Sequence, residues 1–267
     1  MGPGAAISIV CKTPGVGGGK SRLRPLLGAE MVARLSGCFI RDVAAALEAV
    51  PSPLGRQLYA LYSPAGSDVL LRALLPPPWT LVLSHAQSVG AVLDMSMAAF
   101  LGDGHDCAIM VNGDSPTLPT DFIVEAIAAL RAPGDRVVLG PALDGGYYLV
   151  GLKRPHPRLF EDIAWSTPDV LACTVERARE LGLPVMLLPR WYDVDEPQDV
   201  LRLQREFAGQ APCLNSGMTG GPAPHTRALL AEWAGGERSA FSGGLETKCL
   251  APPVTPTSCP PICGANQ

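Results

Sequence analysis

Five consecutive apolar residues, Cys107-Ala-Ile-Met-Val111, lead directly into Asn112-Gly113-Asp114. A strand that is apolar without alternation has both faces covered, the condition of a central strand in a parallel sheet. Parallel strands need helical crossovers, so this one run demands helices on either side of it. The rest of the chain meets that demand. Ile7–Cys11, Leu58–Tyr62, Leu81–Leu83, Val137–Leu139, Tyr147–Val150 and Pro184–Leu188 read as further strands. Met31, Leu35, Phe39, Val43 and Leu47 recur every four residues as a helix stripe. Helical patterns also cover residues 86–101, 120–131, 167–182 and 197–207. The expectation is an α/β fold, an open and mostly parallel sheet flanked by helices, over residues 1–207. Ligands of such sheets bind beyond the carboxyl ends of the strands, and the motifs below fall at those ends.

Composition narrows the function classes. Charged residues are 17% of the 267 and the net charge is −4, which argues against a protein that coats nucleic acid. Apolar residues at 47% exclude a disordered polyampholyte, and no run is long and apolar enough for a membrane span. Met1-Gly2-Pro3-Gly4 lacks the basic flank of a signal peptide, so a cytoplasmic protein is expected. Gly and Pro supply 17 of the 60 residues from 208 to 267 but 39 of the first 207, which marks residues 208–267 as a low-complexity, mobile tail holding at most a short helix near Arg227–Trp233. Cys11, Cys38, Cys107 and Cys173 sit singly in apolar segments and read as small buried hydrophobes. Cys213, Cys249, Cys259 and Cys263 crowd the tail without zinc-ribbon spacing.

The segment from Lys12 to Arg24 places four cations in thirteen residues with no acid among them. Its glycines let successive backbone N–H groups point at one anion, while Lys20 and Arg22 bring mobile and planar charge to phosphate oxygens. A solvated basic turn is the plain alternative. Gly19-Lys20-Ser21 matches the end of a P-loop, but Pro14 occupies that motif's first glycine position and Pro25 would interrupt its helix. Two carboxylate segments follow. Asp114 ends the central strand, a position suited to Mg²⁺, which prefers one or two carboxylates plus phosphates; an Asx turn is equally open. In Asp193-Val-Asp195-Glu-Pro197-Gln-Asp199, Asp195 could simply cap the helix that Pro197 opens. Asp144-Gly145-Gly146-Tyr147-Tyr148 has hairpin chemistry, yet its glycines also permit close approach to a ligand and its tyrosines could stack on one. Trp165 precedes Thr167-Pro168, read as an N-cap and first-turn proline.

Lys12-x-Pro14-x-x-Gly17-x-x-Lys20-Ser21-Arg22-Leu23 resembles the opening loop of the GT-A-fold nucleotide-diphospho-sugar transferases. The resemblance continues through Gly113-Asp114-x-Pro116, Asp144–Tyr148, Trp165-Ser166-Thr167 and Asp193–Asp199, and is strongest to a bacterial family labelled glycosyltransferase A, or arsenosugar-biosynthesis-type glycosyltransferase, formerly a domain of unknown function. It implies a transferase that takes a nucleotide or nucleotide-sugar donor and a small acceptor. Lys12, Pro14, Gly17, Lys20, Ser21 and Arg22 would bind the nucleotide. Asp114 and Asp195 would be ligands of one Mg²⁺ (or Mn²⁺), with Asp193 a weaker candidate. Asp144, Gly145, Gly146, Tyr147, Tyr148, Trp165, Ser166 and Thr167 would surround the acceptor, and Lys20, Asp114, Asp144 and Asp195 would carry the chemistry, Asp144 as a general base. One departure matters. The Asp-x-Asp that many glycosyltransferases place in mid-chain is here Asp114-Ser-Pro, and the only such pair comes late, at 193–195. That pattern leans towards nucleotidyl transfer with pyrophosphate release, against the glycosyl transfer of the family label. A non-catalytic nucleotide sensor would use the same pocket.

Overall fold

β1 (Ala5–Lys12) runs parallel to both of its neighbours, β2 (Arg56–Ser63) and β4 (Cys107–Asn112). In the computed structural model, which describes residues 4–16, 18–86, 88–210 and 218–236, these strands lie within a seven-stranded sheet. β3 (Thr80–Leu83) extends it parallel beyond β2. On the other side β6 (Tyr147–Leu152) is antiparallel to β4 and to β5 (Val137–Pro141), and β7 (Val185–Leu187) is parallel to β5. The order is β3-β2-β1-β4-β6-β5-β7, so the sheet is mostly parallel, as the unbroken apolar run of β4 requires.

Side-chain alternation divides the sheet's interior into two cores. Ile7, Ile9, Ile109 and Val111 face one; Ala6, Ala108 and Met110 face the other. The first core is closed by α1 (Arg24–Glu48), α2 (Asp68–Leu74), α4 (Thr120–Arg131) and α6 (Pro197–Phe207). Leu35, Phe39, Val43 and Leu47 of the α1 stripe are all fully buried there. The second core is closed by α3 (Val89–Gly102) and α5 (Val170–Glu180). Ser88 starts α3 by accepting the Ala91 N–H at 3.3 Å, three residues later than the apolar pattern alone suggests. α5 begins at Val170 rather than at Thr167, whose hydroxyl bonds Ala164 O at 2.7 Å in a turn instead of capping a helix.

Residues 218–236 correct the expectation of a tail free from residue 208. α7 (Pro224–Gly236) lies against α1, burying Leu229 and Leu230 in the first core. Asp42, only 3% exposed on α1, accepts the His225 and Thr226 N–H groups at 3.1 and 2.8 Å. A carboxylate from another helix thus satisfies the free donors of the first turn of α7. The cysteines placed in the tail, and residues 237–267 with them, lie outside the described residues. Among those described, no helix is long and apolar enough to cross a membrane.

Candidate active site

The loop after β1 is anchored before it turns. The Thr13 N–H donates to Ser63 O at 2.8 Å, and the buried Thr13 hydroxyl lies 2.8 Å from Ser67 Oγ. Gly15 and Gly18 then adopt φ of 77° and 76°, which L side chains rarely take, so glycine is required at both. Lys20 is itself left-handed, at φ 53°, and its side chain reaches the carboxyl end of the central strand β4. There Nζ lies 2.7 Å from Asp114 Oδ1, 2.9 Å from Asp195 Oδ1 and 2.8 Å from Val194 O. Burial works against the charge on Lys20, but the two carboxylates outweigh it and raise its pKa.

Residues 189–195 bring the second carboxylate to the first. The extended chain pairs with Pro141-Ala142 at the end of β5, the Trp191 N–H donating to Pro141 O at 3.0 Å. It then reaches the end of β4, where the Val194 N–H donates to Asp114 O at 3.0 Å. Asp195 is not the helix cap: Glu196 takes that position, and Asp199 accepts the N–H groups of Asp195 and Glu196 at 3.2 and 2.9 Å. The spacing Asp195-Glu-Pro197-Gln-Asp199 therefore fixes the backbone and leaves the Asp195 carboxylate to face Lys20. Burial, together with Asp144, Asp195 and Asp114, pushes the Asp193 carboxyl up to about 7. Four aspartates thus gather around the ammonium that Asp114 and Asp195 hold.

Beside this cluster opens a cleft of about 670 Å³, bounded by the glycine loop and by the ends of β2 and β3, with Lys20, Asp114 and Asp195 in its wall. Pro14 and Lys20 line it; Gly17 lies outside the described residues. Lys12 belongs to the same wall and is exposed at the end of β1. Ser21 and Arg22 do not line the cleft. Ser21 is exposed in a 3₁₀ turn, and Arg22 pairs with Glu196 at 3.1 Å. Arg24, two residues on, lines the cleft instead. Its only sequence signal is membership of the acid-free basic run. Ser63, Ser84 and Ser88 face it from the far wall, a placement that follows from the strand-end rule but not from any local motif.

The glycine–tyrosine segment is largely structural. Tyr148 is 1% exposed, donates its hydroxyl to Pro189 O at 2.9 Å and packs against Phe122, so the expectation that it contacts an acceptor is corrected. The Tyr147 ring turns to the opposite core beside Trp165, and burial drives its hydroxyl pKa well above the usual tyrosine range. Gly145, at φ 90°, sits where an added Cβ would stand 2.0 Å from Pro168 O, and its own carbonyl accepts the Leu171 N–H at 2.9 Å. The Gly-Gly turn is thereby fastened to the Trp165–Pro168 loop. Trp165 fills the space left by Gly90, where a Cβ would meet its Nε1 at 2.8 Å. Asp144, whose Oδ1 accepts the Gly146 N–H at 2.8 Å, stays exposed, as does Ser166; Thr167 is half-buried.

The donor set suits a divalent ion. Two carboxylates from separate strand ends already hold one cation, and the excess of aspartates leaves negative charge for another. Among the described residues no three Asp, Glu, His or Cys side chains converge on one point, but Mg²⁺ takes one or two carboxylates and completes its shell with phosphate and water.

A structure described as a "putative nucleotide-diphospho-sugar transferase" from Desulfovibrio desulfuricans G20 superposes with a TM-score of 0.73 at 29% identity, over 87% of this chain and 95% of that one. The chain shares the fold of that nucleotide-diphospho-sugar transferase. A similar fold appears at lower identity in a CMP:2-keto-3-deoxy-manno-octonic acid synthetase complexed with CTP (TM-score 0.51, 14% identity, 78% and 99% of the two chains). It appears again in a 4-diphosphocytidyl-2C-methyl-D-erythritol synthase from Anaerococcus prevotii DSM 20548 (TM-score 0.51, 9% identity, 77% and 97%). A family model described as "Uncharacterized protein conserved in bacteria (DUF2064)" matches residues 46–167. No curated protein matches the chain.

Proposed function

We propose that this transferase moves a group from a nucleotide-activated donor, a nucleotide sugar, to a small acceptor with the help of Mg²⁺ or Mn²⁺. The observation that carries this reading is the convergence of Asp114 and Asp195 on one buried cation beside the cleft. The backbone N–H groups of the glycine loop, with Lys12, Lys20 and Arg24, would receive the donor phosphates. Asp114 and Asp195 would hold the metal ion, which supplies charge neutralisation at the departing phosphate. Transfer of this kind needs positioning and electrostatic stabilisation more than covalent help, and the rigid strand ends provide the first. Exposed Asp144, next to Asp193, is the candidate to accept the proton of an acceptor hydroxyl.

The late position of the second aspartate supports a second reading, nucleotidyl transfer from an NTP to a small phosphorylated acid or sugar. The two differ in product: only nucleotidyl transfer releases pyrophosphate. Thermal melts of the full chain with NTPs and nucleotide sugars, each with and without Mg²⁺, test the shared premise. A ligand at 100 times its Kd stabilises by about 2.7 kcal/mol. Stabilisation that requires Mg²⁺ is expected, and it should vanish in Asp114→Asn and Asp195→Asn. A shift that ignores Mg²⁺ and survives both substitutions would reject the metal role and favour a sensing module.

A further inference from the structure

An ammonium has three hydrogens to donate, and all three of those on Lys20 have acceptors within 2.9 Å: Asp114, Asp195 and the Val194 carbonyl. Nζ also lies 5.2 Å from the Phe39 ring, and the side chain is 6% exposed. Lys20 therefore cannot serve donor phosphates while it serves the aspartates. The carboxylates themselves are open, 42% and 46% exposed, so a metal ion can reach them; what opposes its arrival is the positive charge already within 3 Å.

We propose that Lys20 is a resident counter-cation that weakens binding of a lone divalent ion to Asp114 and Asp195, and that it leaves them only when donor phosphates offer its ammonium new partners. This rests on the reading that Asp114 and Asp195 are the metal pair. Exchanging charge-assisted bonds to carboxylates for charge-assisted bonds to phosphate costs the ammonium little. The same move vacates the carboxylates for the metal ion. Metal and nucleotide then bind as a coupled pair, each raising the affinity for the other by the same factor, as linkage demands. The site would admit the metal–donor complex in preference to either component.

Mn²⁺ titrations followed by electron paramagnetic resonance, with inorganic pyrophosphate as the minimal phosphate probe and a correction for its chelation of Mn²⁺ in solution, test the coupling in the full chain. In the wild type, pyrophosphate should tighten Mn²⁺ binding by a factor of about 5–150, the usual range for such couplings. Lys20→Met should bind Mn²⁺ alone more tightly than the wild type and lose most of that enhancement. Equal or weaker Mn²⁺ binding by Lys20→Met, with binding lost in Asp114→Asn, would overturn the counter-cation and leave the metal pair standing. Absence of Mn²⁺ binding in every form would overturn both. A wild-type readout guards against a misfolded variant. The ¹⁵Nζ resonance of Lys20 should hold its position in Mg²⁺ alone and move when pyrophosphate is added with it; movement in Mg²⁺ alone would refute the proposal.

Discussion

A methyl group at Gly140 would sit 2.3 Å from Cζ of Tyr148, well inside contact distance with a ring locked in the core. Gly140→Ala should therefore destabilise by about 1–3 kcal/mol, the usual cost of overpacking. At roughly 2–4 °C per kcal/mol for a domain of this size, a thermal melt resolves it. Tyr148→Phe keeps the ring and removes the hydroxyl bonded to Pro189 O, leaving one carbonyl short of a donor. It should cost about 0.5–1.5 kcal/mol and leave nucleotide and acceptor binding unchanged. A loss of acceptor affinity in Tyr148→Phe would restore the tyrosine to the site. This pair also shows what the sequence could carry. The Gly-Gly-Tyr-Tyr segment was legible as special, but a glycine kept for a ligand and a glycine kept for a ring look the same in one dimension. Lys20 differs in this respect: an acid-free basic run beside glycines already pointed to an anion. Its two aspartate partners lie 94 and 175 residues away, beyond any local signal.

Helices that present a stripe to a core can be read from periodicity, and α1, α4 and α6 fall where the pattern puts them. α7 is different. Its first turn is closed by Asp42, 183 residues earlier in the chain, and its surroundings are rich in Gly and Pro, so neither composition nor a local cap announces a docked element. Asp42→Ala removes the acceptor of two backbone donors at once. The expected cost is about 0.5–2 kcal/mol, as for the loss of an N-cap. Amide hydrogen exchange at residues 225–230 should speed up before the rest of the chain does, because α7 undocks locally. The neighbouring Arg34–Glu232 pair, 49% and 64% exposed, serves as the contrast: Arg34→Ala should leave α7 protection almost unaltered, since exposed pairs contribute little. Equal exchange rates in the wild type and Asp42→Ala would show that the apolar contacts of Leu229 and Leu230 hold the helix alone.

For the molecule as a whole, the cluster at Lys20 ties together the loop after β1, the end of β4 and the extended segment before α6. These contacts form only when the sheet is complete, so their contribution belongs to the folded state of the entire domain. A double-mutant cycle of Lys20→Met with Asp114→Asn, melted in EDTA, measures it. Contacting charged residues couple by roughly 0.5–3 kcal/mol, and the half-exposed carboxylates place this pair in the lower part of that range. Added Mg²⁺ should act unevenly across the cycle. Lys20→Met leaves Asp114 and Asp195 without their ammonium, so it should gain the most stability from the ion. The wild type should gain less, because Lys20 already neutralises part of the site. Asp114→Asn should gain least, having lost a donor oxygen. That order of Mg²⁺-induced melting shifts follows from the charge balance at the Lys20–Asp114–Asp195 cluster. A uniform shift across all four proteins would place metal binding elsewhere on the chain.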